Sequence, residues 1–202
     1  QETRPDATKV LAAIFSSSLI KSVTDVIVEM IPTPTKNYIN DKTAFDAAIF
    51  YTDPNGQPGL ASIETKYTDK LGKNPASKPD VQFELVRRLG VFTADALAHY
   101  EERGGFDQIV RNLLLTIAYA EKHGLATAAN YVLAPSADVE TPERIAELQS
   151  RLTEPYRDKI EWLPLEQVVE RGQTADALWA ADHLKQFYRR YLDFTPIDSL
   201  SQ

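Results

Sequence analysis

The chain has 202 residues, of which 43% are hydrophobic and 25% charged, proportions of a folded globular protein that argue against disorder. That length buries one sizeable core without a covalent staple. The sequence carries no cysteine, which removes disulfide scaffolds, thiolate zinc sites, iron–sulfur clusters and cysteine nucleophiles, and its net charge of −7 argues against a domain that coats nucleic acid non-specifically.

The apolar positions Val10, Leu11, Ile14, Phe15 and Leu19 recur at helical spacing and predict an amphipathic helix over 7–21. Thr24–Ile31 is a short β-branched and apolar run closed by Pro32 and Pro34, which suits a strand. Ala44–Thr52 and Leu60–Tyr67 read as two further strands, joined through Asp53-Pro54-Asn55-Gly56 and Pro58-Gly59. Asn-Gly in such a cluster marks a hairpin turn. Gly72–Pro79 reads as a loop, and Asp80–Tyr100 as a helix in two pieces around Gly90. Phe106, Ile109, Val110, Leu113, Leu114 and Ile117 predict a helix to His123, stopped by Gly124. A strand over Ala129–Ala134 follows, then a helix to Leu152 with Pro142 at its first position. Lys159–Leu163 is a last strand, Leu165–Arg171 a short helix, and Ala175–Leu192 a closing helix that packs on the core. In that helix Trp179, Phe187, Tyr188 and Tyr191 form an aromatic stripe expected to be core. The order predicts one α/β domain over 1–202, with a mixed β-sheet flanked by helices. No repeats or low-complexity segments interrupt it.

No apolar run approaches the roughly 18–20 residues of a membrane span, and the N-terminus lacks a signal-peptide layout, so a cytoplasmic location is expected. The first residue is Gln1 and not Met, which suits a processed product or a fragment. Charge is unevenly spread. Lys66 to Arg88 holds six basic and three acidic residues, whereas Asp138 to Glu170 holds nine acidic and four basic. The basic stretch fits either a local polyanion contact or a solvated surface.

The hairpin concentrates chemistry. Strand residues two apart share a face, so Glu64 and Lys66 project together while Ile63 and Thr65 face the other way. A turn centred near Asn55-Gly56 sets Asp46 opposite Glu64 or one position off. Strand interiors disfavour Asp and Glu, so two carboxylates and an ammonium on one patch need a reason. One reason is a divalent cation: Mg²⁺ takes oxygen ligands, is held by one or two carboxylates and keeps several waters. Asp46, Glu64 and the backbone carbonyl of Thr65 form such a donor set. Lys66 would help activate water or stabilise charge developing at phosphorus. The other reason is a cross-strand salt bridge on a half-exposed sheet, worth ~0.2–1 kcal/mol.

Phe45-Asp46 on one arm and Ile63-Glu64-Thr65-Lys66-Tyr67 on the other resemble the Asp…Glu-x-Lys signature of the PD-(D/E)XK nuclease superfamily, the restriction-endonuclease-like fold. The resemblance extends to Val28-Glu29-Met30-Ile31-Pro32, to Gln108–Leu115 and to Arg190-Tyr191-Leu192, like a bacterial branch described as restriction-endonuclease-like proteins. Phe45 stands where the name-giving motif has proline. The resemblance implies a restriction-endonuclease-like core and a Mg²⁺- or Mn²⁺-dependent endonuclease that cuts DNA by in-line attack of an activated water. Asp46 and Glu64 would be metal ligands, Lys66 the catalytic lysine and Glu29 an extra carboxylate. Gln108, Arg111 and Asn112 share one helix face and would donate to a substrate phosphate, or simply form that helix's polar face. A homodimer, a missing N-terminal region and a partner protein are all compatible with the resemblance.

Nothing else competes. Ser16-Ser17-Ser18 lacks a nucleophile-elbow setting, the turn glycines cradle no phosphate, and His99, His123 and His183 have no partner at ligand spacing. The rival reading is a catalytically silent nuclease-fold domain acting as a binding or scaffold module, since fold alone does not establish activity. An active enzyme should show a basic rim drawn from Lys70, Lys73, Arg87, Arg88 or Arg111.

Overall fold

Short apolar runs and helical periodicity resolve into five strands and eight α-helices in a computed structural model that describes residues 6–15, 19–67 and 79–193. The Ser16–Ser18 run, Lys70, Lys73 and nearly all of the 72–79 loop lie outside the described residues. Helix α1 (Ala7–Phe15) leads into β1 (Ser22–Met30), β2 (Phe45–Thr52) and β3 (Pro58–Thr65). Then come α2 (Pro79–Leu89), α3 (Ala94–Glu102), α4 (Gln108–His123) and β4 (Thr127–Ala134). The chain closes with α5 (Glu140–Arg151), α6 (Glu154–Arg157), β5 (Ile160–Pro164), α7 (Leu165–Gln173) and α8 (Leu178–Tyr191). The strands pair in sequence order, β1-β2-β3 antiparallel and β3-β4-β5 parallel, which makes the sheet mixed as expected.

The hairpin turn is fastened by its own side chain. Asp53 Oδ1 accepts from the backbone N–H of Asn55 and of Gln57, each at 2.8 Å, and Gly56 supplies the positive φ of 77° that the turn requires. This sets the β2–β3 register from Thr52↔Pro58 to Ala47↔Ile63. Central strand β3 is covered on both faces. Leu60 packs under α2–α5 with Ala48, Ala128 and Val132. Ala61 and Ile63 pack with Ile49, Tyr51, Tyr131 and Leu133 under α1, α7 and α8. Each large aliphatic side chain so buried contributes about 1.5–3 kcal/mol. Helix α4 lies on the first face between an Asp107 N-cap, whose carboxylate accepts from Val110 N–H at 3.1 Å, and Gly124 at φ 61°.

The structure departs from the expectations at identifiable places. Helix α5 begins at Glu140, so Pro142 is its third residue and not its first. The Asp138 carboxylate accepts from the N–H groups of Glu140 and Thr141 and starts the helix two residues earlier than the proline signals. The four-residue α6 is too short to show a period. Helix α8 starts at Leu178 because Ala177 is extended, at φ −151°. Its aromatic stripe is divided: Trp179 and Phe187 pack against the core, whereas Tyr188 and Tyr191 are exposed. Among the described residues no helix is long and apolar enough to cross a membrane.

Candidate active site

At the far end of the hairpin from its turn, Glu64 is the last residue but one of β3 and is only 3% exposed. A bare carboxylate there would be costly, so its lone pairs must be met by donors. Its Oε1 accepts from Lys66 Nζ at 2.5 Å and from Gln108 Nε2 at 2.7 Å. Its Oε2 accepts from Asn112 Nδ2 at 2.5 Å. Gln108 and Asn112 are four apart on the first turns of α4, so one helix face brings both amides to the same carboxylate. Lys66, 5% exposed, is held in place by its backbone N–H, which donates to Leu133 O at 2.7 Å and continues the parallel ladder beyond β3.

Asp46 stands across from Glu64, one step beyond the Ala47↔Ile63 pair, and is exposed. Its Oδ2 accepts from Thr65 N–H at 2.7 Å, so the side chain ties β2 to β3 where the ladder ends. Burial pushes the Glu64 carboxyl above the usual carboxylate range. The hydrogen bond and positive charge of Lys66 oppose that rise, the Asp46 charge reinforces it, and the Asn112 amide opposes it.

Behind Glu64 a buried polar chain runs into the sheet. Thr116 Oγ1 donates to Asn112 O at 2.8 Å and lies 2.6 Å from Ser62 Oγ, which accepts from Asn130 Nδ2 at 3.0 Å. Asn112, Thr116, Ser62 and Asn130 are all fully buried. The chain anchors α4 to β3 and β4 and thereby sets the height of Gln108 and Asn112 over the carboxylate.

Asp46, Glu64, Thr65 and Lys66 therefore gather at one end of the hairpin. Glu29 falls at the β1 position across from Asp46, on the side of β2 away from Glu64. It lies on edge strand β1 between the pairs Val28↔Ala47 and Met30↔Phe45, exposed and at φ 50°. Among the described residues no three acidic or histidine side chains converge on one point. Asp46, Glu64 and the Thr65 carbonyl fit a Mg²⁺-type ion, which needs only one or two carboxylates and fills its shell with water. The ammonium of Lys66 lies on Glu64 Oε1, so this carboxylate already meets a cation.

The three α4 residues expected at a substrate phosphate have other engagements. Gln108 and Asn112 donate to Glu64. Arg111 lies 3.4 Å from Asp41 Oδ2 and donates from Nη1 to Phe106 O at 3.0 Å. Asp41 was not singled out in the sequence. Its Oδ2 also accepts from the fully buried Gln82 at 3.1 Å. The amide pair over Glu64 was half legible: two amides at i and i+4 on one face were visible, but not which strand they would meet.

A hairpin bearing paired carboxylates and a lysine, with a parallel strand beyond it and a helix across its face, is the restriction-endonuclease-like core. The family model of the PD-(D/E)XK nuclease superfamily matches residues 1–193, and the chain belongs to that superfamily. No curated protein and no solved structure matches it.

Proposed function

We propose that this chain is a divalent-metal-dependent nuclease that hydrolyses DNA phosphodiester bonds with an activated water. The observation that carries the reading is the buried Glu64, kept beside Lys66 at 2.5 Å and opposite the exposed Asp46. A sheet that needed only a salt bridge would leave it in solvent, since burying an ion pair costs more than it returns unless the geometry is well supplied with hydrogen bonds. Asp46, Glu64 and the Thr65 carbonyl would hold Mg²⁺ or Mn²⁺, which when bound supplies Lewis-acid charge at the phosphate. Gln108 and Asn112 keep the Glu64 carboxylate oriented. Lys66 Nζ carries the positive charge that would meet the negative charge developing on the phosphoryl oxygens.

One observation favours a catalytically silent binding or scaffold module. Arg87 pairs with Glu101, Arg88 with Glu121 and Arg111 with Asp41, so these three cations do not form an open basic rim. A cleavage assay decides between the readings. Plasmid, single-stranded and branched DNA would be incubated with Mn²⁺, Mg²⁺ or EDTA, using the wild type, Lys66→Ala and Asp46→Ala. The nuclease reading expects products only with metal, and a loss of at least about 100-fold in each variant. Intact substrate in every wild-type lane gives the protein to the silent module.

A further inference from the structure

The end of β3 is bracketed by both helical layers. On one face α4 reaches Glu64; on the other, the C-terminal turn of α8 reaches Tyr67, the residue directly after Lys66. Tyr67 Oη donates to Tyr191 O at 2.5 Å, and the two rings meet edge to face at 6.2 Å and 84°. Phe187, packed on the core, supports Tyr191 from below at 5.1 Å, and the Arg190 guanidinium lies 5.3 Å from the Tyr191 ring centroid. Despite this fastening, Tyr67 and Tyr191 each remain 39% exposed. Two aromatic rings held rigid at the surface have already lost the freedom that stacking a ligand would otherwise cost.

Charge points to the ligand. Where Arg87, Arg88, Arg111, Arg144 and Arg151 are each engaged by a carboxylate, Arg190 of α8, beside the Tyr191 ring, makes no ion pair among the described residues, whereas Lys185 and Arg189 line a pocket with Glu166, Glu170 and Asp193. A guanidinium without a carboxylate partner beside an exposed ring offers a phosphate one local contact, even in a chain of net charge −7. Exposed rings interleaved with guanidinium groups suit unpaired bases on a phosphate backbone, because every base offers a π-face and Arg serves the phosphate. Paired bases in a duplex hide those faces.

We propose that Tyr67, Tyr191 and Arg190 form a stacking platform for an unpaired base of single-stranded DNA next to the phosphate addressed by Glu64 and Lys66. The placement of that phosphate rests on the nuclease reading; the binding does not. The test is anisotropy of a labelled oligothymidine and of a blunt duplex of equal length, with the wild-type chain and its variants in EDTA. Tyr191→Ala and Tyr67→Ala should weaken single-strand binding roughly 5- to 150-fold while leaving duplex binding within about twofold. Tyr67→Phe, which keeps the ring and loses the hydroxyl, should stay within about threefold of wild type on the stacking account. Arg190→Gln should lower the slope of log Kd against log salt by about 0.7. The proposal is overturned if the alanine variants, folded by circular dichroism, bind the single strand like wild type, if they weaken duplex equally, or if the wild type binds no single strand. Ring-dependent binding without cleavage in the assay above would retire the nuclease reading and keep the platform. Metal-dependent cleavage with ring-independent binding would do the reverse.

Discussion

Glu64 is the residue on which the site turns, because a carboxylate at 3% exposure survives only with donors on both oxygens. Lys66 and Gln108 meet one oxygen and Asn112 the other. Replacing Asn112 by Ala strips Oε2 of its donor and should lower the unfolding free energy by about 1.5–3 kcal/mol, the scale for a hydrogen bond to a charged group. In a Glu64→Gln background the same change should cost clearly less, since a neutral amide needs that donor less. Urea unfolding of the two single variants and the double variant measures the coupling. Strictly additive losses would mean that Asn112 does not hold the carboxylate.

Two glycines show how tightly the elements are set against one another. Gly59 of β3 faces Tyr51 of β2 across the hairpin, and a Cβ there would come within 2.4 Å of the Tyr51 ring and 2.5 Å of Thr127 Oγ1 on β4. The ring is buried and its hydroxyl is bound to the same Thr127 at 3.1 Å, so it has nowhere to go. Gly59→Ala should therefore destabilise by about 1–3 kcal/mol through overpacking. At Gly172 of α7 the nearest atom to an added Cβ is Leu184 Cδ1, at 2.5 Å, with Ile14 Cδ1 next at 3.3 Å. A leucine methyl is the end of a rotatable side chain, so Gly172→Ala should be the milder of the two. Paired thermal melts check the order, and a larger loss at Gly172 would show that the α7–α8 contact is the stiffer one.

Across the whole molecule, burial raises the phenol pKa of six tyrosines spread over both faces of the sheet: Tyr38, Tyr51, Tyr100, Tyr119, Tyr131 and Tyr156. Tyr131 goes furthest, pushed up to about 12 by burial first and then by the nearby Glu161 and Tyr51. The sign follows from which state binds the proton more tightly. The folded state does, so this contribution to stability is complete below the unfolded pKa of about 10 and is lost as pH rises toward about 12. Chemical denaturation across alkaline pH should show stability falling above about pH 10, with phenolate absorbance appearing together with unfolding. Tyr131→Phe should flatten that fall relative to its own stability at neutral pH; an unchanged slope would remove Tyr131 as a contributor.

What the sequence determined by itself is whatever repeats over a few residues. The apolar runs of β2 and β3, the Asn55-Gly56 turn and the Gly124 stop are local, and so is the side-sharing of Glu64 and Lys66, because a strand leaves no other option. These were enough for the order of elements and for the resemblance at Asp46, Glu64 and Lys66. Contacts between distant segments belong to the tertiary structure. Whether Gln108 and Asn112 meet a phosphate or a carboxylate depends on how α4 docks on β3, which the buried Thr116–Ser62–Asn130 chain sets. Whether Arg88 is an open cation depends on Glu121, 33 residues away on another helix. The packing of α8 on the opposite face leaves Tyr188 and Tyr191 in solvent while burying Phe187 more deeply on the same helix. A helical repeat states that a face is apolar, but only packing decides which of its rings the sheet has room to cover.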